Sequence, residues 1–66
     1  MMEVLQITLA SARVNAGYSQ EEACELIGVS LSTLKNWEAG VTFPKQPQIE
    51  KICEVYGVKY DNIRFG

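Results

Sequence analysis

The sequence feature that most constrains this chain is the stretch from 19 to 40, which reads SQEEACELIGVSLSTLKNWEAG. Ser19 and the glutamate three residues later have the spacing of a capping box, in which each side chain accepts from the other residue's backbone N–H. The pattern predicts a helix that ends at Gly28, because glycine adopts the left-handed conformation without steric cost. Ser30 is a second N-cap and predicts another helix to the end of the stretch. Two helices with so short a connection cross steeply and form a helix-turn-helix.

The second helix of this motif divides its residues between two faces. Leu34, Trp37 and Glu38 lie on one side, and the two apolar side chains are the natural anchors into a core. The opposite side carries four residues that we call the reading face: Leu31, Ser32, Lys35 and Asn36. Amide, hydroxyl and apolar groups of this kind meet base edges and thymine methyls in a DNA major groove. The face is therefore a candidate for reading DNA.

The motif resembles the signature of Cro/CI-type (XRE) helix-turn-helix proteins, a family that includes phage repressors and Cro proteins. The matching residues are Gln20-Glu21-Glu22, Gly28-Val29-Ser30, Thr33-Leu34, and Trp37-Glu38 followed by Gly40. Cys24 stands where the family usually has alanine, and cysteine is small and apolar enough to fit. The resemblance covers roughly Leu9 to Ile63 and implies an all-α fold, a compact bundle of four to five short helices. Sixty-six residues predict a single domain over 1–66, with the motif at 19–40.

The resemblance implies a sequence-specific DNA-binding transcriptional regulator, Cro-like or repressor-like. Helix 30–39 would enter the major groove, and the reading face would contact the bases. Contacts to the phosphate backbone are implied for five residues: Gln20, Ser30, Thr33, Thr42 and Lys45. Thr42 and Lys45 fall in a proline-containing loop, so a solvated loop explains them as well. The expected partner is double-stranded DNA, bound by a homodimer that forms in solution or only on DNA.

The first helix is predicted over Val4–Ala16 from the apolar residues Leu5, Leu9, Ala12 and Ala16. Arg13 is the one charge in that segment. The resemblance places Arg13 opposite Glu38, in a partly buried ion pair between the first and third helices. The alternative is a solvated arginine on an exposed face.

Two further helices are predicted after the motif. Pro47 suits the first position of a fourth helix, which closes at Gly57. Its apolar stripe consists of Ile49, Ile52, Cys53 and Tyr56. A last short helix is expected over Tyr60–Arg64, with Ile63 pointing inward. Part of the apolar tail that contains Val58, Tyr60, Ile63 and Phe65 is available for a symmetric dimer contact.

The net charge is the observation that opposes DNA binding. Eight acids against six bases give −2, whereas DNA-binding domains usually carry a basic surface. The alternative function is an acidic helix-turn-helix module that binds another regulator or a toxin partner without DNA. No acid lies between Leu31 and Asn36, and this favours DNA, because a face that touched only protein would have little reason to exclude acids.

Other classes of function find little support. The chain has no histidine and no CxxC, so we expect no metal site and no cofactor. Cys24 and Cys53 are expected to be buried free thiols, in preference to a disulfide or a redox pair. No catalytic group assembles, so neither an enzyme nor a small-molecule substrate is expected. No apolar run approaches the ~18 residues of a membrane span, and the N-terminus lacks the basic cluster of a signal peptide, so we expect a cytoplasmic protein without a membrane partner.

Overall fold

The computed structural model describes residues 6–64, which form a helical bundle with one minimal sheet. The α-helices are α1 (Leu9–Asn15), α2 (Gln20–Ile27), α3 (Leu31–Glu38) and α4 (Gln46–Tyr56), and a 3-10 helix covers Tyr60–Asn62. Strands β1 (Ile7–Thr8) and β2 (Ile63–Arg64) pair in parallel, with Ile7 opposite Ile63. The all-α bundle with its helix-turn-helix is therefore confirmed, and the short strands add a link between the two ends of the bundle.

Helix α1 begins later than the sequence pattern predicts. It starts at Leu9 and not at Val4, because Thr8 is its N-cap: Thr8 Oγ1 accepts from the Ser11 N–H at 3.1 Å. The two residues before the helix are extended and belong to β1. Residues 4–5 of the predicted helix lie outside the described residues. The apolar spacing indicated a longer helix because it holds no information about pairing with a distant strand.

The caps that define the helix-turn-helix are present as predicted. Ser19 Oγ accepts from the Glu22 N–H at 3.1 Å, and Glu22 Oε1 accepts from the Ser19 N–H at 3.0 Å. These hydrogen bonds, the backbone one above all, lower the pKa of the Glu22 carboxyl. Gly28 ends α2 in the left-handed conformation at φ +88°, and Ser30 Oγ accepts from the Thr33 N–H at 3.2 Å to start α3.

The core lies where the four helices meet. Leu34 of α3 and Ile52 of α4 are fully buried, and Trp37 is 6% exposed. The other core residues are Leu9, Ala12, Ala23, Cys24, Ile27, Tyr56 and Ile63. Trp37 therefore anchors α3 to the bundle, in agreement with its spacing from Leu34.

Both cysteines are free thiols. Cys24 is buried, and its thiol donates to the Glu21 carbonyl oxygen at 3.2 Å. Cys53 is only partly buried, contrary to the sequence prediction, because its position on α4 lies at the margin of the core. Its partial burial still raises the pKa of the thiol.

The C-terminal elements depart from the prediction in two places. Helix α4 begins at Gln46, so Pro47 is its second residue and not its first. The expected helix over Tyr60–Arg64 is instead a 3-10 helix followed by β2, since Lys59 provides no side-chain cap and Ile63 pairs with β1. Ile63 still points inward, at 4% exposure. Phe65 of the apolar tail lies outside the described residues.

We expect the replacement Tyr56→Phe to leave the free energy of unfolding at pH 7 unchanged or to raise it by up to about 1 kcal/mol. Tyr56 is 6% exposed, and among residues 6–64 its hydroxyl is a buried polar group with no hydrogen-bond partner. Phenylalanine keeps the ring and its stacking on Tyr18 at 6.4 Å between centroids. Urea unfolding measures the difference, and a loss greater than about 1 kcal/mol would mean that the hydroxyl has a partner.

The stability of the two proteins at alkaline pH provides a second test of the buried Tyr56 hydroxyl. Burial, with a smaller contribution from the Glu38 carboxylate, raises the pKa of Tyr56 to about 12. Because the unfolded value is about 10, the stability due to the neutral phenol is complete below pH ~10 and is lost as the pH rises towards 12. Relative to Tyr56→Phe, the wild type should lose about 1.4 kcal/mol per pH unit between pH ~10 and the folded pKa of about 12. Parallel pH profiles of the two proteins would contradict this assignment.

Candidate nucleic-acid interface

The reading face of α3 is turned outward by the buried side chains on the opposite side of the helix. Ser32, Lys35 and Asn36 are exposed. Leu31 is half-buried and packs partly against the core. The face therefore offers a hydroxyl, an ammonium and an amide to solvent, beside one partly covered apolar side chain.

A group of hydroxyls lies at the start of α3. Ser30 Oγ is 2.8 Å from Thr33 Oγ1 and 3.3 Å from Ser32 Oγ. Ser30 and Ser32 are exposed and Thr33 is half-buried. The structure thus brings two of the residues predicted to contact phosphate next to one that is predicted to contact bases.

The loop between α3 and α4 is hydrogen-bonded to α3 where it begins. The N–H groups of Val41 and Thr42 donate to the Asn36 carbonyl oxygen at 2.9 and 3.4 Å. Thr42 is exposed, and it is held next to the end of the reading face. Lys45 is also exposed but stands at the far end of the loop, where its N–H donates to Gln48 Oε1 at 2.8 Å and starts α4.

An ion pair at the end of α3 joins this helix to α1 and to the connection between α1 and α2. Arg13 Nε donates to Glu38 Oε2 at 2.8 Å, and the two side chains are 14% and 8% exposed. Arg13 Nη1 also donates to the Tyr18 carbonyl oxygen at 2.8 Å, immediately before the N-cap of α2. One guanidinium on α1 therefore holds the α1–α2 connection and the end of α3.

Gln20 joins the same network. Its Nε2 donates to Glu38 Oε1 at 3.0 Å, and the residue is half-buried. This contact could not be predicted from the sequence, because the two residues lie 18 positions apart on different helices and no local spacing links them. The sequence indicated only that Gln20 is the first residue of α2 and that Glu38 lies on the same side of α3 as Trp37.

Acidic side chains are concentrated on α2, away from the residues of the reading face in sequence. Glu21, Glu22 and Glu25 are exposed on that helix. Glu22 and Glu25 line a cavity together with the side chains of Tyr18 and Leu26. The reading face itself carries no acid, so the negative net charge is unevenly distributed.

Comparison with known proteins identifies the family. A helix-turn-helix family model matches residues 9–63, which is most of the chain. The chain belongs to the Cro/CI-type (XRE) helix-turn-helix family, and it has the domain of a DNA-binding regulator of that type. Neither curated proteins nor solved structures gave a match.

Within residues 6–64, no helix has the length and apolar character needed to cross a membrane. The same residues contain no group of three or more histidine, cysteine, aspartate or glutamate side chains that could hold a metal ion.

We expect Arg13→Met to lower the free energy of unfolding by about 3–5 kcal/mol, because it leaves the Glu38 carboxylate largely buried without its cation. The double replacement Arg13→Met with Glu38→Met should lose less than Arg13→Met alone, since no lone charge remains inside. Urea unfolding of the three proteins measures these differences.

Lys51→Met is the matched control for this experiment. It removes the cation of an exposed pair, in which Lys51 Nζ is 3.9 Å from Glu54 Oε1, and should change the free energy of unfolding by no more than about 1 kcal/mol. Equal losses for Lys51→Met and Arg13→Met would show that the Arg13–Glu38 pair is energetically an ordinary surface pair.

Proposed function

We propose that this protein is a sequence-specific transcriptional regulator, Cro-like or repressor-like, that inserts α3 into the DNA major groove. The observation that carries the proposal is the reading face, an outward surface without acids on the second helix of a helix-turn-helix. Leu34 and Trp37 fix this face by burying the other side of α3. Membership of a family of DNA-binding regulators supports the same assignment.

The four residues of the reading face have different chemistry toward a base pair. Asn36 can donate to and accept from one base, and Lys35 can donate to guanine acceptors. Ser32 suits several base edges, and half-buried Leu31 suits a thymine methyl. A good bidentate polar contact contributes about 1–3 kcal/mol of discrimination, so these residues are enough to define a short half-site.

The phosphate contacts are proposed for residues around this face. Ser30 and Thr33 present their hydroxyls at the start of α3, and Thr42 lies beside its end. Lys45 contributes a cation from the loop, and Gln20 contributes an amide from the first residue of α2. Such contacts fix the position of the protein on the duplex and have no base preference of their own.

Binding as a homodimer would place two copies of α3 in successive major grooves, about one helical turn apart. Ile63 is buried at 4% exposure and is therefore not part of the dimer contact that the apolar tail suggested. Tyr60, at 54% exposure, and the half-buried Val58 are the described residues of that tail that remain at the surface.

The acidic surface favours a second candidate, a module that binds another regulator or a toxin partner without DNA. Glu21, Glu22 and Glu25 on α2 would then form the contact surface for a basic partner. The two candidates differ in which helix is protected on binding, α3 for DNA and α2 for protein. A domain of net charge −2 should also bind non-specific DNA weakly.

We expect Asn36→Ala to relax sequence preference at one base pair. Selection of duplexes from a random pool defines the preferred half-site, and competition with single-base variants then measures discrimination. Loss of the amide contact should reduce discrimination at one position by about 1–3 kcal/mol and leave the others unchanged. Equal losses of affinity for the selected and scrambled duplexes would contradict the role of Asn36.

We expect Lys45→Ala to weaken binding to selected and scrambled duplexes by the same factor. Removal of one phosphate contact should lower the slope of log affinity against log salt by about 0.9. Lys51→Ala is the matched control, because it removes the same charge from α4 and should leave the slope unchanged. Equal effects of the two substitutions would assign the change to net charge and not to a contact of Lys45.

A further inference from the structure

We propose that Glu38 is a positioning residue for the phosphate contact of Gln20, so that the ion pair inside the fold also prepares the DNA-binding surface. The proposal rests on the proposed DNA-binding function. Its basis is one carboxylate that serves two partners. Glu38 Oε2 accepts from Arg13 Nε at 2.8 Å, and Glu38 Oε1 accepts from Gln20 Nε2 at 3.0 Å and from Arg13 Nη2 at 3.5 Å.

The hydrogen bond to Glu38 sets the orientation of the Gln20 amide before DNA arrives. An amide nitrogen has two N–H donors, and Glu38 accepts one of them, which leaves the other to donate to a phosphate oxygen. Glutamine has a long side chain with a large rotamer entropy, and a side chain that is already ordered loses less of it on binding.

The Arg13 guanidinium makes this arrangement compatible with a nearby phosphate. A bare carboxylate next to a phosphate site would repel it, but the charge of Glu38 is balanced by Arg13 at 2.8 Å. Arg13 Nη1 also donates to the Tyr18 carbonyl oxygen at 2.8 Å, just before the cap of α2. The same pair therefore holds both the amide of Gln20 and the backbone from which it projects.

Glu38 also links this phosphate contact to the reading of bases. It is the last residue of α3, two positions after Asn36 of the reading face. The Gln20 amide on α2 is consequently fixed relative to the helix that enters the groove. If Gln20 were an ordinary surface residue, it would not need a hydrogen bond to a residue of α3.

The first test is the mobility of the Gln20 side chain in the DNA-free protein. Gln46 is the matched control, because it is exposed and is likewise the first residue of a helix. Side-chain 15N relaxation should give Gln20 Nε2 an order parameter close to that of the α2 backbone, and Gln46 a clearly lower one. Equal mobility of the two amides would overturn the proposal. This measurement needs no substitution, so it decides the matter even if a variant fails to fold.

The second test is a double-mutant cycle on binding to the selected duplex. In the wild-type background, Gln20→Ala should weaken binding about fivefold, as expected for loss of a hydrogen bond. In the Arg13→Met, Glu38→Met background, the same replacement should have an effect of less than about twofold, because the amide is no longer positioned. A merely structural role of the pair would lower the free energy of unfolding but leave the Gln20→Ala factor at about fivefold, and that result would overturn the proposal.

The outcomes separate this proposal from the proposed function. If the wild type binds no duplex, the DNA-binding function fails, whatever the mobility of Gln20. If the wild type binds and Gln20→Ala has no effect in either background, DNA binding stands and the positioning role of Glu38 is excluded.

Discussion

The interaction that links the helices of this fold is made by the carboxylate of Glu38, which accepts hydrogen bonds from Arg13 and Gln20. Leu34 and Trp37 bury one side of α3 in the core. Glu38, at the end of the same helix, joins α3 to Arg13 on α1 and to Gln20 on α2. Two largely buried charges cost free energy of desolvation, and mutual pairing with good geometry offsets it. The pair therefore joins the helices at little net cost, whereas removal of one partner would leave the other charge largely buried and unpaired.

The negative net charge becomes compatible with DNA binding once the charges are placed on the structure. Arg13 and Glu38 cancel each other inside the fold, and Lys51 is close to Glu54 on α4. Exposed acids of α2 lie on a helix whose first residue alone is proposed to contact DNA. The reading face is left with Lys35 and no acid. A protein with this distribution would depend more on base contacts than on general attraction to phosphate, and its non-specific binding would be weak.

The parts of the fold that could be predicted from sequence are those fixed by local chemistry. The capping box at Ser19 and the left-handed Gly28 require only neighbouring residues, and the burial of Leu34 and Trp37 follows from helical spacing. The start of α1 depends on the local N-cap Thr8 and on pairing between Ile7 and Ile63 near the other end of the chain, and the second of these could not be predicted from local spacing. That pairing also replaced the end of the expected last helix with a strand.

The candidate site shows the same division. Outward placement of Ser32, Lys35 and Asn36 followed from the helical period, because the opposite side of α3 is apolar. The contact between Gln20 and Glu38 could not be predicted from spacing, because it depends on how α2 crosses α3. Resemblance to a family placed Arg13 opposite Glu38, and helical spacing added that Glu38 lies on the same side of α3 as Trp37.

Amide NMR titration with the selected duplex shows directly whether the reading face and its surroundings bind DNA. At low salt, shifts should cluster at Gln20, along 30–36 and along 42–45, and they should diminish as salt is raised, since the contacts to phosphate release counterions. A scrambled duplex should give smaller shifts at the same positions. Shifts that are absent from 30–36, or that fall on Glu25 and Leu26 of α2 instead, would contradict DNA binding through α3.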